Sequence, residues 1–169
     1  MSETHSVWAI VRYAVWIAHR YDPGHDAFHF RRVARDRRTL VPFLTDLHLG
    51  EDEAPVILRR TDCRAAVGNH RPPLHFLFHS AYCASTMLAQ LLDQRGVATS
   101  LSEPVLLNDM VGWRRRGAVP ADHARVMDDA LALLGRGFEA SEAVVIKPSN
   151  IFNPLARGVL TLRPEARAI

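Results

Sequence analysis

Lysine and cysteine are scarce in this chain of 169 residues. The basic residues number 21, but Lys147 is the only lysine. The two cysteines, Cys63 and Cys83, are separated by a spacing that matches neither a zinc-ligand pattern nor a disulfide framework. We therefore expect reduced thiols, a cytoplasmic location and no metal centre.

Long hydrophobic runs are also missing. The most apolar segment near the amino terminus, residues 6–21, is interrupted by Arg12 and His19, and no small-residue cleavage site follows it. We expect neither a membrane span nor a secretion signal. The apolar residues of this segment recur at helical spacing, which predicts an amphipathic packing helix.

A strong charge of one sign is absent as well. The net charge is +3, and the 21 basic residues are spread among 18 acidic ones. This balance does not indicate a nucleic-acid partner. The length and the 48% hydrophobic content suit one domain with a sizeable core, or part of one.

Two regions differ in their pattern, with a boundary at "GNHRPP". Residues 1–70 predict an N-terminal α+β elaboration with a turn at 21–26, a strand after it, a short helix around 40–47 and a strand pair within 54–67. Residues 71–169 alternate strands with helices. Their predicted strands are 74–78, 97–101, 143–147 and a fourth beginning at 166, which indicates an α/β fold with a mostly parallel sheet flanked by helices.

The segment "LHFLFHSAYCASTMLAQLLDQRG", residues 74–96, joins the first of these strands to a helix through small and hydroxyl side chains. A helix amino terminus offers unpaired backbone N–H groups and a partial positive charge, and small residues let an anion approach that backbone closely. An oxyanion cradle is one interpretation. An ordinary strand-to-helix turn, with Ser85 and Thr86 as helix caps, is the other.

Two better-defined phosphate motifs do not fit this segment. In the nucleotide-hydrolysing P-loop pattern aligned on Thr86, the lysine position holds Ser85 and the glycine positions hold His79 and Ala84. A cysteine-based phosphatase needs an arginine six residues after Cys83, where Ala89 stands.

The stretch "FLFHSAYCASTMLAQLLD", followed by a strand and "SEP", resembles the 5′-phosphosulfate loop, first helix and second strand of the sulfotransferases. The segment "VVIKPSNIFNPLA" is similar to a later part of bacterial sulfotransferase-like proteins. The family's Lys/Arg-Ser-Gly-Thr-Thr core corresponds to residues 82–86 here. The hydroxyl pair is kept, but Tyr82 replaces the basic residue.

This resemblance implies the P-loop NTPase-like fold of the sulfotransferases and transfer of a sulfuryl group from 3′-phosphoadenylyl sulfate to a hydroxyl or amine acceptor. It implies that the loop holds the 5′-phosphate of that donor, through Ser80, Ala81, Tyr82, Cys83, Ala84, Ser85 and Thr86. It also implies that Glu103, in "SEP", is the general base for the acceptor; the alternative is a solvated carboxylate or a helix cap.

Two further residues are candidates because of their positions. Lys147 ends an apolar strand, which places its ammonium at the ligand-binding edge of a parallel sheet, where it can supply the cation missing at Tyr82. A strand-end lysine that reaches solvent is the alternative. His79, at the end of the first strand, is a candidate for contact with the anion or for proton relay.

The chain ends at Ile169, inside the fourth apolar segment. We therefore expect a sulfotransferase-like domain that is incomplete at its C-terminal end, and either weak donor binding with negligible turnover or a partner or oligomer that supplies the remainder. Two other functions stay open: a kinase-like phosphotransferase, against which the missing loop lysine counts, and a non-catalytic anion-binding or interaction module.

Overall fold

Two three-stranded sheets organise the computed structural model, which describes residues 6–50, 53–68 and 73–169. The first sheet is antiparallel and the second is parallel, and helices flank the parallel sheet. The α/β architecture predicted from the sequence is therefore present. The predicted boundary near residue 70 lies outside the described residues.

The antiparallel sheet has the strand order β1-β2-β3. Its elements are α1 Val7–Arg12, β1 Trp16–Asp22, β2 Ala27–Arg32, α2 Arg35–Leu40, α3 Asp46–Leu49, β3 Val56–Arg59 and α4 Arg60–Val67. The predicted turn at residues 21–26 joins β1 to β2, where Asp26 adopts a φ of 47°.

Three expectations for this region were wrong. The helix predicted across residues 6–21 ends at Arg12, and residues 16–22 form β1, because they pair with β2 and are buried on both faces. The helix predicted around residues 40–47 is interrupted, since Pro42 forces Val41 into an extended conformation with ψ of 140°. The second strand expected within residues 54–67 is α4 instead.

The parallel sheet has the strand order β4-β6-β5. Its elements are β4 Leu74–Phe76, α5 Ser85–Leu92, β5 Ala98–Ser102, α6 Val105–Arg115, α7 Pro120–Leu134, β6 Ala143–Lys147, a 3-10 helix Asn150–Leu155 and α8 Ala156–Leu162. These positions confirm the first three of the four strands expected from residue 74 onwards. Residues 167–169 lie along β4, where Phe76 and Ala168 form a parallel bridge.

One hydrophobic core connects the two sheets. It includes Phe28 and Phe30 of β2, Leu106 of α6 and Ile146 of β6, and all four are fully buried. Helix α7 buries Val126, Ala130, Leu131 and Leu134, which recur at helical spacing. The packing of α6 and α7 against β1 thus fixes the position of the parallel sheet relative to the antiparallel one.

Helix α5 packs differently from α7. Its buried residues are Ser85 and Ala89, whereas Met87, Leu88 and Leu91 of its apolar pattern are exposed. No helix in the described parts of the chain is long and apolar enough to cross a membrane.

Candidate functional site

The loop between β4 and α5 has an uncommon backbone conformation. Tyr82 and Ala84 adopt φ angles of 61° and 58°, in the left-handed region that L-residues with a side chain rarely occupy. Ala84 is the residue immediately before the first turn of α5. Left-handed non-glycine residues cost free energy and often lie at ligand sites, so this loop is a candidate site.

The amide groups of this loop have no backbone partner. In the described residues, no backbone oxygen accepts a hydrogen bond from the N–H groups of residues 81–87. The first amide of α5 that is bonded to the main chain is that of Leu88, which donates to the Ala84 carbonyl over 3.2 Å. Residues 81–84 are also exposed, so these donors can bond to an anion from solvent.

Cys83 lies in the middle of the loop with its thiol exposed. Its Sγ donates a hydrogen bond to the Ser80 carbonyl over 3.0 Å. Hydrogen bonding from Ser85 lowers the pKa of the Cys83 thiol, which favours the nucleophilic thiolate. Cys63 differs, because burial raises the pKa of its thiol to about 12.

Lys147 and Glu103 form an ion pair beside the loop. The Lys147 Nζ donates to Glu103 Oε1 over 2.5 Å, and the lysine is only 1% exposed. The ammonium also lies 5.2 Å from the ring centroid of Phe43, within the range of a cation–π interaction. The alternative in which Lys147 reaches solvent does not describe this side chain.

Glu103 reaches this position through a left-handed backbone, with a φ of 47°. Its amide donates to the Lys147 carbonyl over 2.6 Å, so β6 holds Glu103 through its main chain as well as through the ammonium. About a fifth of the Glu103 side chain stays exposed, at 19%. The carboxylate can therefore contact a ligand in the cleft.

His79 joins the loop to the end of β6. Its Nδ1 lies 2.8 Å from the Ser80 carbonyl and its Nε2 lies 3.0 Å from the Pro148 carbonyl, while Glu103 Oε1 is 3.8 Å from Nε2. Asn153 donates to the His79 carbonyl over 3.0 Å. These contacts hold the ring beside the carboxylate, at a distance too long for a direct hydrogen bond between Nε2 and Glu103 Oε1.

These residues surround one cleft of about 310 Å³. The cleft brings His79, residues 81–86, Glu103 and Lys147 together, whereas Ser80 contributes only its carbonyl to the bonds of its neighbours.

Two lining residues, Phe43 and Asn150, were not predicted. Asn150 follows Lys147 at the carboxyl end of β6, so the strand-end rule could have identified it. Phe43 carries no such signal.

The cleft combines amide donors that lack a main-chain partner, a buried cation and a partly exposed carboxylate. Amide donors and an ammonium bind an oxyanion, and a carboxylate can accept a proton from a hydroxyl or amine group. No protein-family model, curated protein or solved structure matches the chain. The functional conclusion therefore depends on the geometry of this cleft.

Proposed function

We propose that this cleft binds 3′-phosphoadenylyl sulfate and that the protein is sulfotransferase-like, with a P-loop type of fold and a cytoplasmic location. The observation that supports this proposal most directly is the row of amides without a main-chain partner at residues 81–86, in the same cleft as the Lys147–Glu103 pair. The amides suit the 5′-phosphate of the donor, and the carboxylate suits the acceptor.

The proposed reaction is an in-line transfer. The acceptor oxygen or nitrogen forms a bond to the sulfur, and the bond between that sulfur and the bridging oxygen of the 5′-phosphate breaks. Glu103 takes the proton that the acceptor loses, and adenosine 3′,5′-bisphosphate leaves with the electron pair of the broken bond. The loop amides stabilise the charge that develops on this phosphate.

Lys147 and Glu103 act together in this proposal. When Glu103 takes up a proton, its attraction for the Lys147 ammonium, now 2.5 Å away, weakens. The positive charge of Lys147 then becomes available to the leaving phosphate. His79 lies 3.8 Å from the same carboxylate oxygen, so proton loss from Glu103 through this ring requires a bridging water molecule.

A non-catalytic anion-binding module is the second candidate. The observation that favours it is that Lys147 is already neutralised by Glu103, while Tyr82, at the position of a basic residue, is fully exposed. A kinase-like phosphotransferase is a third possibility that the same experiment addresses.

Calorimetric titration with three ligands separates these functions: adenosine 3′,5′-bisphosphate, ATP with magnesium, and sulfate. We expect the bisphosphate to bind most tightly. Tighter binding of ATP with magnesium indicates the kinase-like function, and similar weak binding of all three indicates the anion-binding module. The absence of any binding contradicts all three proposals.

Two matched variants test whether the loop is the binding site. Thr86 is the second residue of α5 and lines the cleft, and Thr61 is the second residue of α4 and lies outside it. Thr86→Val removes a hydroxyl donor to a charged ligand, so we expect a loss of bisphosphate affinity of about tenfold or more. Thr61→Val leaves the affinity unchanged. Equal affinities for the two variants place the ligand elsewhere.

A further inference from the structure

A second cluster of charged residues is buried away from the cleft and has one positive charge in excess. It contains two carboxylates, Asp93 and Glu142, and three guanidinium groups, those of Arg35, Arg38 and Arg136. Arg35 bonds to both carboxylates, over 2.6 Å to Asp93 and 2.5 Å to Glu142. Three cations and two anions leave a net charge of +1.

Arg136 is held by main-chain oxygens. It donates to the carbonyls of Ile10, Val11, Trp16 and Leu133. Two of these carbonyls belong to α1 and one to α7, and helix carbonyls of this kind stabilise a cation. These carbonyls stabilise the Arg136 cation, although burial still lowers its pKa to about 10.

Arg38 makes no ion pair with a carboxylate among the described residues. It is only 7% exposed, it donates through Nη2 to the Ala14 carbonyl, and its guanidinium lies 4.8 Å from the ring centroid of Phe138. Its Nε has no hydrogen-bond partner. Burial, together with the charge of Arg136, lowers the pKa of Arg38 to about 9, and the charge of Asp93 offsets this lowering only in part.

Two buried hydroxyl groups have no partner either. Ser100 and Ser102 alternate along β5, so their side chains lie on the same face of the strand. Both Oγ atoms are buried and make no hydrogen bond in the described structure. A buried hydroxyl without a partner costs free energy, so the two together indicate a missing ligand.

The three unpartnered groups meet at one cavity. Arg38, Ser100 and Ser102 line a space of about 20 Å³ between α2, β5 and α5. This volume holds one water molecule or one small ion. Asp93 also lines the cavity, and its carboxylate bonds to Arg35, which it shares with Glu142.

We propose that this cavity is a binding site for one small monovalent anion such as chloride, held by the Nε–H of Arg38 and by the hydroxyl groups of Ser100 and Ser102. All three groups can donate hydrogen bonds, and hydrogen bonds to an ion are stronger than those to water. A water molecule would satisfy the hydroxyls but leave the excess charge of the cluster. The anion removes both deficits, and its role is structural, because it joins α2 to the face of β5.

Thermal unfolding in chloride and in gluconate tests this site. Gluconate is too large for the cavity, so at equal ionic strength we expect the Tm to be higher by a few degrees in chloride, and to rise with the chloride concentration. The ³⁵Cl NMR line should broaden in the presence of the protein, since bound chloride exchanges with free chloride.

Variants identify where the anion binds. The double variant Ser100→Ala/Ser102→Ala should lose both the chloride-dependent rise in Tm and the line broadening, while its Tm in gluconate is unchanged or higher. Ser141→Ala, at an exposed turn, and Thr86→Val, in the cleft, should keep both effects.

Two results overturn the proposal. If the Tm is the same in chloride and in gluconate, the cavity holds a water molecule only. If the double serine variant responds to chloride as the unaltered protein does, the anion binds at another place. Neither result bears on the proposed donor site, because the bisphosphate titration is independent of this cavity.

Discussion

Replacing Glu103 with glutamine leaves the ammonium of Lys147 buried without a negative partner. The lysine is 1% exposed and Nζ lies 2.5 Å from the carboxylate, so removal of that charge should destabilise the protein strongly. The expected cost follows from the distance, the burial and the remaining exposure of the pair.

Coulomb's law with an effective dielectric constant of about 20 gives about 7 kcal/mol of gross attraction at 2.5 Å, part of which is offset by desolvation of both groups. Removal of one partner of a buried pair typically costs about 3–5 kcal/mol. Since Glu103 remains partly exposed, we expect the lower end of that range, about 3 kcal/mol, for Glu103→Gln.

Lys147→Met should cost less, about 1–2 kcal/mol, because the remaining carboxylate is accessible to water. The double variant Glu103→Gln/Lys147→Met contains no uncompensated charge. We therefore expect it to be more stable than the two single effects predict together, with a coupling energy of about 2 kcal/mol.

Urea unfolding of the four proteins measures this coupling. The exposed pair of Arg125 and Asp122 in α7 is a suitable control, and its coupling should stay below about 0.5 kcal/mol. If the effects at Glu103 and Lys147 add within about 0.5 kcal/mol, the buried pair does not exist in solution and the reasoning about its burial is wrong.

Three further predictions concern the loop, the thiols and the effect of pH. Ala84→Gly should change the unfolding free energy by less than about 0.5 kcal/mol, because relief of the left-handed strain offsets the added entropy of the unfolded chain. Ala124→Gly inside α7, measured in the same way by urea unfolding, should cost about 1 kcal/mol. Iodoacetamide near neutral pH should alkylate Cys83 and spare Cys63, as peptide mass spectrometry would show; modification of Cys63 in the folded protein would contradict its burial. Burial raises the pKa of Glu142, but hydrogen bonds from neighbouring groups outweigh this effect and hold the pKa at about 2. The carboxylate therefore stabilises the fold by about 3 kcal/mol above pH 5, and this contribution is lost as the pH falls from about 4.5 to 2. In urea unfolding, Glu142→Gln should make the unfolding free energy nearly independent of pH over that range.

The sequence predicted the parallel sheet better than the antiparallel one. Strands β4, β5 and β6 are short apolar runs between turn signals, and α7 has a clear helical period, so local pattern was sufficient. Strand β1 was not predictable in this way, because its residues are buried on both faces and carry no alternation. Its strand conformation depends on pairing with β2, which is a tertiary contact.

The same limit applies to the candidate site. Residues 79–86, Glu103 and Lys147 could be placed at one edge of the sheet because each lies at or just after the carboxyl end of a parallel strand. Phe43 could not, since its contact with Lys147 joins positions far apart in the chain. The direct bond between Lys147 and Glu103 was also missed; both had been assigned to the site, but separately.

The left-handed backbone conformations around the cleft could not be predicted from the sequence. Of the four left-handed non-glycine residues among those described, Tyr82, Ala84 and Glu103 border the cleft, and only Asp26 lies in a distant turn. At Glu103 the strained backbone has a visible consequence, because it lets one residue bond to Lys147 through both its amide and its carboxylate. An extended residue after β5 would place its side chain on one face of the sheet, so the left-handed conformation and the ion pair accompany each other at Glu103. The left-handed conformation costs of the order of 1 kcal/mol, which is less than the coupling energy expected for the Glu103–Lys147 pair.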